Sequence, residues 1–152
     1  MKTQKILISA CLLGQNVKYD GNNNSILNNS FIKKLYDLDM LVPFCPEVEG
    51  GLPTPRVPVE IIDNKAINQD GEDKTYYFQK GAEKTLELCK QNKIKYAIMK
   101  FRSPSCGSKQ IYDGTFSHTL IDGDGICTKL LKKSGIEVFS EKELEALERL
   151  VK

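Results

Sequence analysis

Four short apolar runs punctuate this chain: KILIS (Lys5–Ser9), MLVPFC (Met40–Cys45), YAIMK (Tyr96–Lys100) and EVF (Glu137–Phe139). Each is the length of a strand and rich in aliphatic residues, and the stretches between them repeat at helical spacing. Phe31, Ile32, Leu35, Tyr36 and Leu38 mark a helix over Ser30–Asp39, with Ser30 as its N-cap. Phe78, Ala82, Leu86 and Cys89 line one face of the longest helix, predicted over Lys74–Asn92. A third helix covers Asp124–Lys133 and stops at Gly135. Ser140 and Glu143 form a capping box that opens the last one. A short strand near Val59–Ile62 and a turn around Asp70-Gly71 complete the reading. Strands that alternate with helices predict an α/β fold: a three-layer, Rossmann-like domain with a mainly parallel sheet and helices on both faces. No repeat, linker or second domain interrupts it, so residues 1–152 read as one domain.

Composition narrows the functional classes. The chain has 152 residues, 40% of them hydrophobic, enough for a full core without disulfide staples. Its formal charge is +2, so no global field selects a polyanion, and the scattered lysines read as solvated faces. No apolar run approaches the ~20 residues of a membrane span. The opening MKTQKILISA reads as a strand rather than a signal peptide. The expected location is cytoplasmic, where five cysteines at long spacings are not a disulfide framework. The acidic-basic C-terminal helix suits packing in cis or an interface, and either oligomeric state stays open.

Each thiol then needs its own explanation. Cys11, Cys45 and Cys106 each directly follow a predicted buried strand, although they lie 34 and 61 residues apart along the chain. In an α/β sheet that places all three at the carboxyl edge, where such folds bind ligands. Cys89 and Cys127 fall on apolar helix faces and are expected in the core. Cys127 is the reserve ligand, because it sits in a first helical turn where the dipole favours a thiolate. His118, the only histidine, lies in TFSHTL, read as a surface hairpin and a weak candidate for a catalytic base. Three convergent thiols without a paired histidine predict a metal centre, and both zinc and an iron–sulfur cluster suit them. Three ligands leave one vertex open for a substrate atom, and thiolate-bound iron favours sulfur there. Glu47, two residues after Cys45, is placed to act as a general base on water, with a structural ion pair to Arg56 as the alternative. Ser103, ahead of the rigid Pro104, is placed to turn its hydroxyl to the same pocket, and Gly107 to let backbone approach a bulky cofactor. A redox sensor or interaction protein would use Cys127 as a fourth ligand to iron or zinc. A metal-free thiol enzyme lacks its histidine partner.

The motifs ISACLLG with KYDG, CPEVEGGLPTPRVPVEI, SPSCGSKQIYDGTF and GDGI together resemble the DUF523 family, whose characterised members include thiouracil desulfidases. The resemblance runs from Ile8 to Glu141. It implies a [4Fe-4S] cluster on Cys11, Cys45 and Cys106, with or without an extra sulfide on the fourth iron. It also implies Glu47 and Ser103 as catalytic residues and a hydrolytic, non-redox desulfidation. Many relatives carry a cysteine where this chain has Val17. Tandem relatives with an added domain act on thiolated tRNA. Without that extension or a strong basic patch, the implied substrate is a small thiolated base or nucleoside, with thiolated tRNA as the second class.

Overall fold

A computed structural model describes residues 4–151 of the chain. The chain runs through β1 (Ile6–Ser9), a 3-10 turn (Ala10–Leu13), α1 (Ser30–Asp37), β2 (Leu41–Phe44) and the short α2 (Pro46–Glu49). A hairpin of β3 (Val59–Ile62) and β4 (Lys65–Asn68) leads into α3 (Thr75–Gln91) and β5 (Tyr96–Met99). A second hairpin, β6 (Gln110–Tyr112) and β7 (Leu120–Asp122), precedes α4 (Ile126–Lys133), β8 (Glu137–Ser140) and α5 (Leu144–Val151).

Four strands form one all-parallel sheet in the order β2-β1-β5-β8. All four residues of β1 are buried, as expected of a central strand covered on both faces. Pro43 lacks an N–H to donate, and it is tolerated because β2 is an edge strand. One core packs Ile6, Ile8 and Ile98 against Ile32 and Leu35 of α1 and Leu147 of α5. The other packs Leu7, Ala97 and Met99 against Ala82 of α3 and Leu131 of α4. Each fully buried aliphatic side chain contributes about 1.5–3 kcal/mol, so the two cores hold the sheet rigid from both sides. This is the predicted three-layer α/β architecture. From β1 the chain moves to β2 at one edge and then crosses to β5 on the other side. The switch point therefore lies at the carboxyl ends of β1 and β5.

Local details differ from the sequence expectation. Asn29, not Ser30, caps α1, its Oδ1 accepting from Ile32 N at 3.1 Å. The predicted turn at Asp70-Gly71 is present, Gly71 N donating to Asn68 O at 2.9 Å, and a further turn closes the first hairpin at Asp63-Asn64, both left-handed with φ 50° and 65°. Short polar side chains tolerate that conformation, and it matches the twist of a two-residue hairpin. Glu143 does accept from Ser140 N at 3.1 Å, yet the helix begins only at Leu144, after one turn. Pro46–Glu49 forms a single helical turn after β2, with Pro46 in its first position.

Candidate active site

Three strand ends deliver three thiols. Cys11 sits in the 3-10 turn that follows β1, Cys45 is the residue before α2, and Cys106 lies in the turn after β5. All three line one cavity of about 730 Å³ at the carboxyl edge of the sheet. Glu47 and Ser103, the two catalytic candidates of the sequence, line it too. Its far side is built by loop residues, including Phe116 and His118 from between β6 and β7. His118 is exposed there and packs edge-on to Tyr112, 5.9 Å between ring centroids.

Backbone anchors hold the turn that carries Cys106. Ser103 Oγ accepts from the N–H groups of Ser105 (3.2 Å) and Cys106 (3.0 Å). The N–H of Ile126 donates to Pro104 O, and those of Cys127 and Thr128 to Ser105 O. The otherwise orphan amides at the start of α4 are thus satisfied by the turn itself. Gly125 permits this contact, since a Cβ there would stand 2.5 Å from the carbonyl carbon of Ser105. Gly107, expected to admit a cofactor, instead makes room for the carbonyls of Ser103 and Gln110. On the Cys45 side, Gly81 lets α3 approach Pro46, where a Cβ would meet the carbonyl oxygen at 1.8 Å.

Glu47 is held from both oxygens. Arg56 Nε donates to Oε1 at 3.1 Å and Ser105 Oγ donates to Oε2 at 2.8 Å. The side chains of Arg56 and Glu47 are 6% and 11% exposed. Arg56 also donates to Pro53 O, Thr54 Oγ1 and Val17 O. The ion pair with Arg56 is therefore present, and it coexists with a place on the cavity wall. Ser105, 1% exposed, went unnoticed in the sequence; the only trace was a second serine flanking Pro104. Lys100 also lines the cavity, paired to Glu141 at 2.9 Å.

Electrostatics oppose bare thiolates here. Burial, then mutual repulsion with Cys106 and Cys45, pushes the Cys11 thiol up to about 12, and nearby Lys100 offsets only part of that. Burial likewise pushes Cys106 up to about 12 and raises Cys45. Cys89 and Cys127 belong to the core on the α3–α4 face. Cys127, the reserve ligand, is fully buried there and is not among the residues lining the cavity. Burial, then the neighbouring Cys106, raises its thiol well above the ordinary range.

A parallel α/β domain with three cysteines, a clamped carboxylate and a hydroxyl at its switch point defines a Rossmann-like protein with a cysteine-lined pocket. The chain belongs to the 2-thiouracil desulfurase family, whose model matches residues 6–143. It is 42% identical over 149 residues to the uncharacterized protein YbbK of Bacillus subtilis (strain 168), with 91% of this chain and 97% of that protein covered. It is also similar to the solved structure of the [4Fe-4S]-dependent thiouracil desulfidase TudS, a DUF523 protein. The TM-score is 0.95, with 44% identity and 98% of both chains covered.

The donor set fits such a cluster. Cys11, Cys45 and Cys106 reach the cavity from three separate strand ends. A four-iron cluster binds each cysteine through a different iron and so accepts sulfurs spread around a cavity. Its positive irons would offset the burial and the mutual repulsion that raise these thiols.

Proposed function

We propose that this protein is an iron–sulfur-dependent desulfidase that removes sulfur from a thiolated pyrimidine by hydrolysis. Cys11, Cys45 and Cys106 hold a [4Fe-4S] cluster, and Glu47 and Ser103 are the catalytic side chains. The observation that carries this reading is the convergence of those five residues on one cavity, with Ser103 and Glu47 linked through Ser105 by hydrogen bonds, in a member of the 2-thiouracil desulfurase family. When bound, the cluster would supply a soft Lewis-acidic iron suited to the sulfur of the substrate. The protein's own groups divide the remaining work. With one lone pair on each oxygen occupied by Arg56 and Ser105, the Glu47 carboxylate still has acceptor capacity for a water in the cavity. It takes the proton of that water as oxygen bonds to the substrate carbon and the C–S bond breaks. Ser103 Oγ already accepts two backbone N–H bonds, so what it offers the substrate is its proton, as a hydrogen-bond donor to developing charge. The balance is thiouracil plus water to uracil plus hydrogen sulfide, with no net electron transfer.

The substrates proposed are 2- or 4-thiouracil or a thiolated nucleoside, with thiolated tRNA as a second candidate to be tried beside them. The five free cysteines and an oxygen-labile cofactor suit the reducing cytoplasm. No helix among the described residues is long and apolar enough to cross a membrane. The test is anaerobic purification, assay of iron and sulfide per chain, then incubation with each substrate while uracil and sulfide are measured. Stoichiometric uracil and sulfide without added reductant or oxidant is the expected result. An iron-loaded chain that releases no sulfide from any of them, or a chain that binds only zinc, would overturn the reading.

A further inference from the structure

We infer that Ser105 is a positioning residue of the reaction, coupling Glu47 to Ser103 through a hydrogen-bond chain of fixed direction. The inference rests on the desulfidase reading above and adds a residue to it. The direction follows from counting protons. A carboxylate only accepts, so the single Ser105 proton goes to Glu47 Oε2 at 2.8 Å, with the more distant Cys106 Sγ at 3.5 Å as the weaker alternative. Ser105 Oγ can then meet Ser103 Oγ, 3.1 Å away, only as an acceptor. Ser103 in turn has both its lone pairs committed to the N–H groups of Ser105 and Cys106, and its proton is the one element left to give. The chain therefore runs Ser103 to Ser105 to Glu47, and its far end is anchored by Arg56 on the other carboxylate oxygen.

This arrangement does two things at once. It fixes the carboxylate from a side chain that is itself 1% exposed and held by α4 through its carbonyl. It also parks the Ser103 proton on Ser105 until a substrate atom in the cavity takes that bond instead, a rotation of one hydroxyl with no movement of the backbone. Ser105 does not line up against the substrate in this scheme; it acts through its two neighbours. Side chains that orient reacting groups in this way are worth about 10- to 100-fold in activity.

The experiment compares wild type, Ser105→Ala, Glu47→Gln and the double variant, all purified without air and matched for iron and sulfide per chain. Ser105→Ala is expected to keep its iron and its KM for thiouracil while kcat falls about 10- to 100-fold. In the Glu47→Gln background the same substitution is expected to change kcat by less than about 2-fold, because residues that act as one unit are not additive. Crystals of Ser105→Ala are expected to show the Glu47 carboxylate turned out of its present contact with the turn. Full activity in iron-matched Ser105→Ala overturns the inference. So does an equal loss in both backgrounds, since Ser105 would then act independently of Glu47. Loss of iron in Ser105→Ala would assign the residue to cofactor retention and also overturn it. A wild-type chain with no desulfidation at all defeats the functional reading instead, and the crystals still decide whether Ser105 sets the carboxylate.

Discussion

Replacing Arg56 with methionine isolates the most buried ion pair among the described residues. Its guanidinium is 6% exposed and donates four hydrogen bonds: one to the Glu47 carboxylate, two to the turn at Pro53 and Thr54, and one to Val17 O. Methionine fills a similar volume with no donor and leaves Glu47, 11% exposed, without its counter-charge. Breaking a buried ion pair from one side costs about 3–5 kcal/mol, mostly because the surviving charge is stranded. For a chain of this size each kcal/mol moves the melting temperature by roughly 2–4 °C, so Arg56→Met should melt roughly 6–20 °C lower. The assay is thermal unfolding followed by circular dichroism on anaerobic samples matched for iron, because bound cofactor itself raises the midpoint. Glu47→Gln in the Arg56→Met background should recover a large part of the loss, since the stranded charge is then gone. A shift below about 3 °C would mean that solvent screens the pair. Failure of Glu47→Gln to recover stability would mean that packing rather than charge holds Arg56 in place.

Three further substitutions separate the parts of the site. Gly125→Ala pushes a methyl against the Ser105 carbonyl and should shift the Cys106 turn; overpacking of about 1–3 kcal/mol should lower the melting point and the iron content together. Cys127→Ser should keep its iron and its turnover while losing about 1–3 kcal/mol of stability, because the thiol sits in the core rather than in the cavity; iron loss would make it a ligand. Asn29→Ala removes the cap of α1 and should cost about 1 kcal/mol in denaturant unfolding with turnover unchanged.

Whether a feature could be read from the sequence depended on the range of the interaction that creates it. Cys11, Cys45 and Cys106 were legible because each trails an apolar strand, and parallel strands all end at the same edge, although β2, ahead of Cys45, is a half-buried edge strand rather than the buried one expected. The helices α3 and α4 were legible from their apolar stripes. Pro46–Glu49 was not, because four residues are too few for a period, and that turn is held by the approach of α3 at Gly81. The turn at Asp70-Gly71 was legible from its Asp-Gly pair, whereas the hairpin turn at Asp63-Asn64 carries no such local signal. The register was settled by pairing Val59 with Asn68 and Ile61 with Ala66, which buries Ile61 and Ala66.

The link between Ser105 and Glu47 belongs to the same kind of long-range effect, spanning 58 residues of sequence. Neither residue is unusual locally: an acidic residue after Cys-Pro and a serine after Pro are what a solvated loop would also show. What converts them into a site is the topology. Because β1 lies between β2 and β5, the loops leaving β2 and β5 converge above its end, and each brings a thiol with a polar group one or two residues away. α4 then docks its amides on the carbonyls of Pro104 and Ser105, which fixes the turn from below and leaves its side chains to face Glu47. A buried carboxylate in that position is stable only if its acceptors are met, and Arg56 and Ser105 meet them from opposite sides. The contacts that make Glu47 tolerable in the fold are therefore the same contacts that aim it, so loss of either partner should reduce stability and turnover together.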